Sequence, residues 1–153
     1  EAEYHTAFHT AGTFDDMVII ETAIEHAREL EVAVLGDPRR AEASPAGEII
    51  PDREFYDYTS KYGSASTSRV VIPAAVDDKL RAQIQQNALL AYKTLRCRGL
   101  ARVDFFLAPD GTLYLNEINT MPGFTNISMY PKLWESVGMN TQTLVMTLID
   151  QAS

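Results

Sequence analysis

A single cysteine, Cys97, rules out an intrachain disulfide framework and suits a reducing compartment. Its place near a helix end makes it a small buried apolar side chain. No apolar run is long enough to span a bilayer, and the first residues are polar and acidic, unlike a secretion signal. Basic residues are scarce. Thirteen Lys and Arg stand against 21 Asp and Glu, for a formal net charge of −8. That balance excludes nonspecific nucleic-acid binding, which needs a basic surface. A nucleotide remains possible, because metal ions and a few local lysines can meet phosphates. There is no internal repeat, no low-complexity tract and no glycine-rich motif of the dinucleotide or P-loop type.

What is present suits one domain or a large part of one: 153 residues, 46% of them hydrophobic. The chain opens without Met and inside a helical pattern, which is an odd start for a native N-terminus. Residues 1–12 read as a helix with Tyr4, Ala7, Phe8 and Ala11 in one stripe. His5 and His9 share a face there, but no third ligand accompanies them, so they read as surface residues. Residues 17–21, MVIIE, read as a short buried strand. Residues 29–36 read as a second strand, with Val32 and Val34 on one face. Residues 41–50 have strand character interrupted by Pro45 and Gly47. Residues 51–72 are rich in Tyr, Ser and Thr without a sustained period, as in a lid over a site. Asp77 and Asp78 can cap a helix over 79–96. A helix over 130–137 is stopped by Gly138, and a last helix over 141–152 turns Leu144, Val145, Leu148 and Ile149 inward. Trp134 reads as core.

The chemistry concentrates in residues 99–131. Along GLARVDFFL, Arg102, Asp104 and Phe106 share one strand face. Pro109 and Gly111 make a tight turn, so the next strand, LYLNEIN, returns antiparallel. Period two places Leu113, Leu115, Glu117 and Asn119 together, with Tyr114, Asn116 and Ile118 opposite. Asp104 then lies opposite or diagonal to Glu117 and Asn119. Three oxygen ligands beside one guanidinium suit a hard cation such as Mg²⁺. The alternative is a wet sheet face. Beyond the strand, Pro122 and Gly123 break regular structure, and Ser128 and Met129 precede a helix start whose N–H groups can hold an anion.

Three stretches, RVDFFL (102–107), LYLNEINTMPGFTNISMYP (113–131) and EFYDYTSKY (54–62), resemble the D-alanine–D-alanine ligases of the ATP-grasp superfamily. The resemblance runs from about Asp15 onward and looks like the C-terminal half of such a ligase. It implies an α+β fold, a mainly antiparallel sheet with helices packed on one face. Residues 1–28 would end the central subdomain, and 29–153 would form the C-terminal subdomain with its lid at 51–72. It implies ATP-dependent joining of two D-alanine molecules through an acyl phosphate, for peptidoglycan precursor synthesis in the cytoplasm. Two Mg²⁺ ions, with Mn²⁺ as a substitute, would be held by Asp104, Glu117 and Asn119. Glu21, Glu29, Phe55, Lys61 and Asn116 would contact the nucleotide; the connector after Glu21 is one residue longer than the family's pattern. Tyr62 would reach the substrate side. Arg102 and the Gly123 N–H would stabilise the oxyanion, and Ser128 with the Met129 N–H would bind the second substrate's carboxylate. The implied partners are D-alanine and ATP, without nucleic acid or membrane, in a homodimer formed through the missing half. A D-alanine–D-serine or D-alanine–D-lactate ligase, or a non-catalytic nucleotide- and Mg²⁺-binding fragment, are the alternatives.

Overall fold

The computed structural model describes residues 2–50 and 69–152, so the expected lid, with Phe55, Lys61 and Tyr62, lies outside the described residues apart from its last few positions. Ten elements follow in order: α1 (Ala2–Ala11), β1 (Arg28–Gly36), β2 (Glu42–Ala43), β3 (Gly47–Ile50), β4 (Arg69–Val71), α2 (Asp78–Thr94), β5 (Gly99–Leu107), β6 (Leu113–Asn119), α3 (Met129–Glu135) and α4 (Thr141–Ala152). Among the described residues all strand pairings are antiparallel, in the order β4-β3-β1-β5-β6, with β2 also on β1. No described helix is long and apolar enough to cross a membrane.

The centre is the pairing of β1 with β5, unbroken from Arg28↔Leu107 to Gly36↔Gly99. Strand alternation sorts the side chains of both. Leu30, Val32 and Val34 join Ala101, Val103 and Phe105 on one face, under Ile84, Ala88 and Tyr92 of α2. Ala33 and Leu35 lie on the other, under Tyr130, Leu133 and Trp134 of α3 and Leu144 of α4. The antiparallel sheet with packed helices is as expected, but the helices cover both faces rather than one. The reason is β1, buried throughout its second half, which needs apolar cover above and below.

Local chemistry fixes the ends. The Asp77 carboxylate accepts from the Leu80 N–H at 2.8 Å and caps α2. The Tyr92 hydroxyl donates to the Gly36 carbonyl at 2.7 Å, and that of Tyr130 to Val34 at 2.9 Å. Pro45 divides β2 from β3, and the Ser44 hydroxyl takes the Ala33 N–H at 3.0 Å there, keeping that buried donor satisfied. The β5–β6 turn has Gly111 at φ +86°, donating its N–H to Ala108, as the turn residues require.

Two other expectations need correction. Residues 17–21 form no strand, and Met17 and Ile19 are exposed. Apolar composition alone does not make a strand; its backbone needs a neighbour, and none of the described strands pairs with it. In α4 only Leu144 and Leu148 pack inward, while Val145 and Ile149 are exposed. Cys97 is buried next to α2, as expected, and burial pushes its thiol up.

At Gly47, α3 comes close to the sheet. A Cβ there would meet Met129 Sδ at 2.8 Å and Leu133 Cδ2 at 3.0 Å. Gly47→Ala is therefore expected to destabilise the protein by roughly 1–3 kcal/mol, nearer the lower figure because Met129 can swing aside. The measurement is the midpoint of urea unfolding; an unchanged midpoint would mean that the helix is not seated tightly. Cys97 gives an independent check on the α2 end. With its titration raised, little thiolate exists at neutral pH, so alkylation by iodoacetamide should be slow in the folded state and fast in denaturant. Equal rates would contradict the burial.

Candidate active site on the sheet face

The second face of the sheet is divided. Its Ala33 and Leu35 end is apolar and lies under α3 and α4; its other end is charged. Strand register builds the charged part. Glu31 pairs with Gly47 on one side and Asp104 on the other, and Asp104 pairs with Glu117. Three carboxylates thus form a row across β1, β5 and β6. Arg102 and its opposite number Asn119 lie one step along.

Glu117 and Asn119 reach this face because of a β-bulge. Phe105 pairs with Leu115, but Asp104 pairs with Glu117, so Asn116 has no residue opposite. The extra residue shifts the alternation by one. Leu113 and Leu115 therefore share the face of Leu107 and Phe105, while Glu117 and Asn119 share that of Asp104 and Arg102. The expected grouping of all four β6 residues on one face is corrected accordingly; only Glu117 and Asn119 keep it. Without the bulge, Glu117 would sit opposite Val103, over the apolar core.

Arg102 is the cation of the row. Its Nε and Nη2 donate to the two Asp104 oxygens, each at 2.7 Å. Its Nε lies 3.2 Å from Glu31 Oε2, and its Nη2 lies 3.9 Å from Glu117 Oε1. Burial opposes its charge, but Asp104, then Glu31 and Glu117, outweigh that and hold the guanidinium above its usual range. Glu31 and Asp104 are buried at 4% and 7% exposure, whereas the Glu117 side chain is 56% exposed. The row therefore runs from a dry interior to an open edge.

The loop after β6 brings the remaining candidates together. The Asn119 side-chain oxygen accepts from the Met121 N–H at 3.0 Å and turns the chain. Ser128 Oγ accepts from the Thr125 N–H at 3.0 Å, so the loop closes on itself before α3. A Cβ on Gly123 would stand 2.8 Å from Ser128 Oγ, which places Gly123, Ser128 and the start of α3 side by side. Met129 in turn packs over Gly47, at the β3 end of the acidic row.

Other expected site residues are more scattered. Glu29 is on β1, two residues from Glu31 on the same face, opposite Phe106. Glu21 is exposed in the irregular 17–27 stretch, and Asn116 is exposed at the bulge. Glu31 is the residue that sequence reasoning missed. Its signal was available, because alternation that buries Val32 and Val34 on one side must put Glu29 and Glu31 on the other.

This donor set suits Mg²⁺ in one specific sense. Among the described residues no three His, Cys, Asp or Glu side chains form a ready metal cage. Mg²⁺ in nucleotide sites takes one or two carboxylates and completes its shell with phosphate oxygens and water. Asp104 and Glu117 opposite each other, with the Asn119 oxygen alongside, match that pattern. Residues 1–150 match the family model described as D-ala D-ala ligase C-terminus.

The chain belongs to the D-alanine–D-alanine ligase C-terminal family. It is 49% identical over 152 residues to a D-alanine–D-alanine ligase of Proteus mirabilis and 50% identical over 153 residues to one of Thermoanaerobacter. Each alignment covers 99% of this chain but only 41% and 42% of the relative, so the chain spans about two-fifths of the curated relatives it matches. Among solved structures, the D-alanine–D-alanine ligase of Coxiella burnetii superposes with a TM-score of 0.84 at 39% identity, covering 99% of this chain and 38% of that one. A D-Ala:D-Ser ligase of Enterococcus faecalis gives 0.86 at 34%, covering 100% and 44%.

Removing the cation should be severe. Arg102→Met would strand the buried charge of Asp104, whose two oxygens both accept from Arg102, and breaking one partner out of a buried ion pair costs about 3–5 kcal/mol. The measurement is the midpoint of urea unfolding at neutral pH. A loss below about 1 kcal/mol, the range of exposed pairs, would show that water reaches the row.

Proposed function

We propose that these residues are the C-terminal part of an ATP-dependent ligase that joins two D-alanine molecules for peptidoglycan precursor synthesis. A carboxylate is a poor electrophile, so the first D-alanine carboxylate takes the γ-phosphoryl group of ATP, releasing ADP. The amine of the second D-alanine attacks the acyl phosphate, loses its proton and expels phosphate. The observation that carries this reading is the bulge that turns Glu117 and Asn119 onto the face of the Arg102–Asp104 pair, in a chain of this family. Residues 1–28 are read as the end of the central subdomain, and 29–153 as the C-terminal subdomain.

Asp104, Glu117 and Asn119 would hold Mg²⁺, two ions in this reading. When bound, Mg²⁺ neutralises and aligns the β- and γ-phosphates. Arg102 is held rigidly by Asp104, which fits a preorganised donor toward a developing oxyanion. The Gly123 N–H is the second donor, and glycine allows close approach. Ser128 and the Met129 N–H are assigned to the second substrate's carboxylate. Glu21, Glu29, Phe55 and Asn116 are assigned to the nucleotide, Lys61 to its phosphates and Tyr62 to the substrate side. The homodimer and a cytoplasmic location, where ATP is supplied, complete the proposal.

In the full-length ligase, phosphate release should require D-alanine and Mg²⁺ and be slower with D-serine or D-lactate as second substrate. Glu117→Gln takes away a ligand and a charge, and should raise the Mg²⁺ needed for half-maximal rate at least about tenfold. An unchanged Mg²⁺ requirement would remove Glu117 from the metal site.

A further inference from the structure

We infer that Thr125 is a positioning residue that turns the Ser128 hydroxyl proton toward the second substrate's carboxylate. The inference rests on the ligase reading of Ser128 and extends it to a residue to which that reading gives no role. Ser128 stands at the N-cap of α3 with extended backbone, φ −69° and ψ 140°. A serine oxygen in that place ordinarily accepts from the first turn of the helix, and this one makes no such bond. It is turned into the loop instead, where Thr125 meets it twice. The Thr125 N–H donates to Ser128 Oγ at 3.0 Å, and Thr125 Oγ1 lies 2.9 Å from the same oxygen.

A serine hydroxyl has one proton to donate and two lone pairs with which to accept. The Thr125 N–H occupies one lone pair. Between the two hydroxyls, either can be the donor. A carboxylate only accepts, so one that reaches Ser128 selects a single arrangement. Thr125 Oγ1 then donates to Ser128 Oγ and fills its second lone pair, and Ser128 donates to the carboxylate. Such a chain aligns the outgoing proton, and each bond in it polarises the next. Gly123 leaves that oxygen room, since a Cβ there would stand 2.8 Å from it.

The Thr125 hydroxyl is not what holds the loop together. The Ser128 N–H donates to the Thr125 carbonyl at 2.9 Å, and Lys132 Nζ donates to the Ile127 carbonyl at 3.3 Å. Both bonds survive a change of side chain at the exposed position 125. Thr125→Val therefore keeps the β-branched shape and the turn and removes the hydroxyl alone. In the full-length ligase, Thr125→Val should raise the D-alanine concentration for half-maximal phosphate release about three- to tenfold, the range of one hydrogen bond. The maximal rate, the ATP requirement and the urea midpoint should stay where they are. Thr125→Ser restores the hydroxyl and should behave like the parent. An unchanged D-alanine requirement in Thr125→Val overturns the inference. So does an ATP requirement or urea midpoint that shifts with it, or a Thr125→Ser protein as impaired as Thr125→Val. Ser128→Ala separates the two readings. If it raises the D-alanine requirement and Thr125→Val does not, only the role of Thr125 falls; if Ser128→Ala leaves the requirement unchanged, the assignment of Ser128 to the substrate falls with it.

Discussion

The β1–β5 pairing is the constraint from which both the core and the site follow. Nine consecutive Cα partners lock the two strands in one register, and alternation then assigns every side chain a face. One face is apolar from Leu30 to Val34 and takes α2, with the Arg28–Glu48 ion pair at its end. The other is apolar for half its length and takes α3 and α4, then changes to Glu31, Arg102 and Asp104. A slip of one residue would send the charges into the α2 core and the core residues toward the charges. Register is thus strongly specified, and the position of the site is specified with it.

The bulge at Asn116 is the second constraint, and it acts only on β6. An edge strand tolerates an extra residue because just one neighbour must adjust to it. Here the extra residue lets β6 serve two needs. Leu113 and Ile118 pack toward the α2 core, while Glu117 and Asn119 complete the row on the opposite face. A regular strand with this sequence could not do both.

The sequence made much of this legible. The hairpin was readable from Pro109 and Gly111, the α2 cap from Asp77, and the pairing of Arg102 with Asp104 on one face from period two. The resemblance gave Gly123 and Ser128 separate roles, and their close approach is visible only in the structure. Three further features were not legible. The bulge shows in LYLNEIN only as a change of parity, Leu113 and Leu115 against Ile118, which in so short a segment reads equally as one apolar residue on the polar face. The two-sided cover of the sheet depends on where α3 returns, a long-range choice that no local pattern encodes. Residues 17–21 have strand composition, yet none of the described strands pairs with them.

The charged row also shows where stability and function part company on one surface. Ala33 and Arg102 are directly opposite each other, at the boundary between the apolar and charged halves of the second face. On one side of that boundary, burial of Leu35, Tyr130 and Trp134 favours folding at about 25 cal/mol per Å² of apolar surface. On the other, two buried carboxylates and a guanidinium have been taken out of water, and well-packed apolar residues of similar volume would hold a sheet at least as well. A fold under selection for stability alone would have continued the apolar half across the row. In the proposed ligase the charges mark the part of the sheet kept for a ligand, and α3 stands at the border between the two. Its body seals the core through Met129, Leu133 and Trp134, while the preceding Ser128 faces the loop that Gly123 closes. Packing of that one short helix fixes the Gly123–Ser128 loop relative to the carboxylate row, so the precision of the proposed site is inherited from the core beneath it.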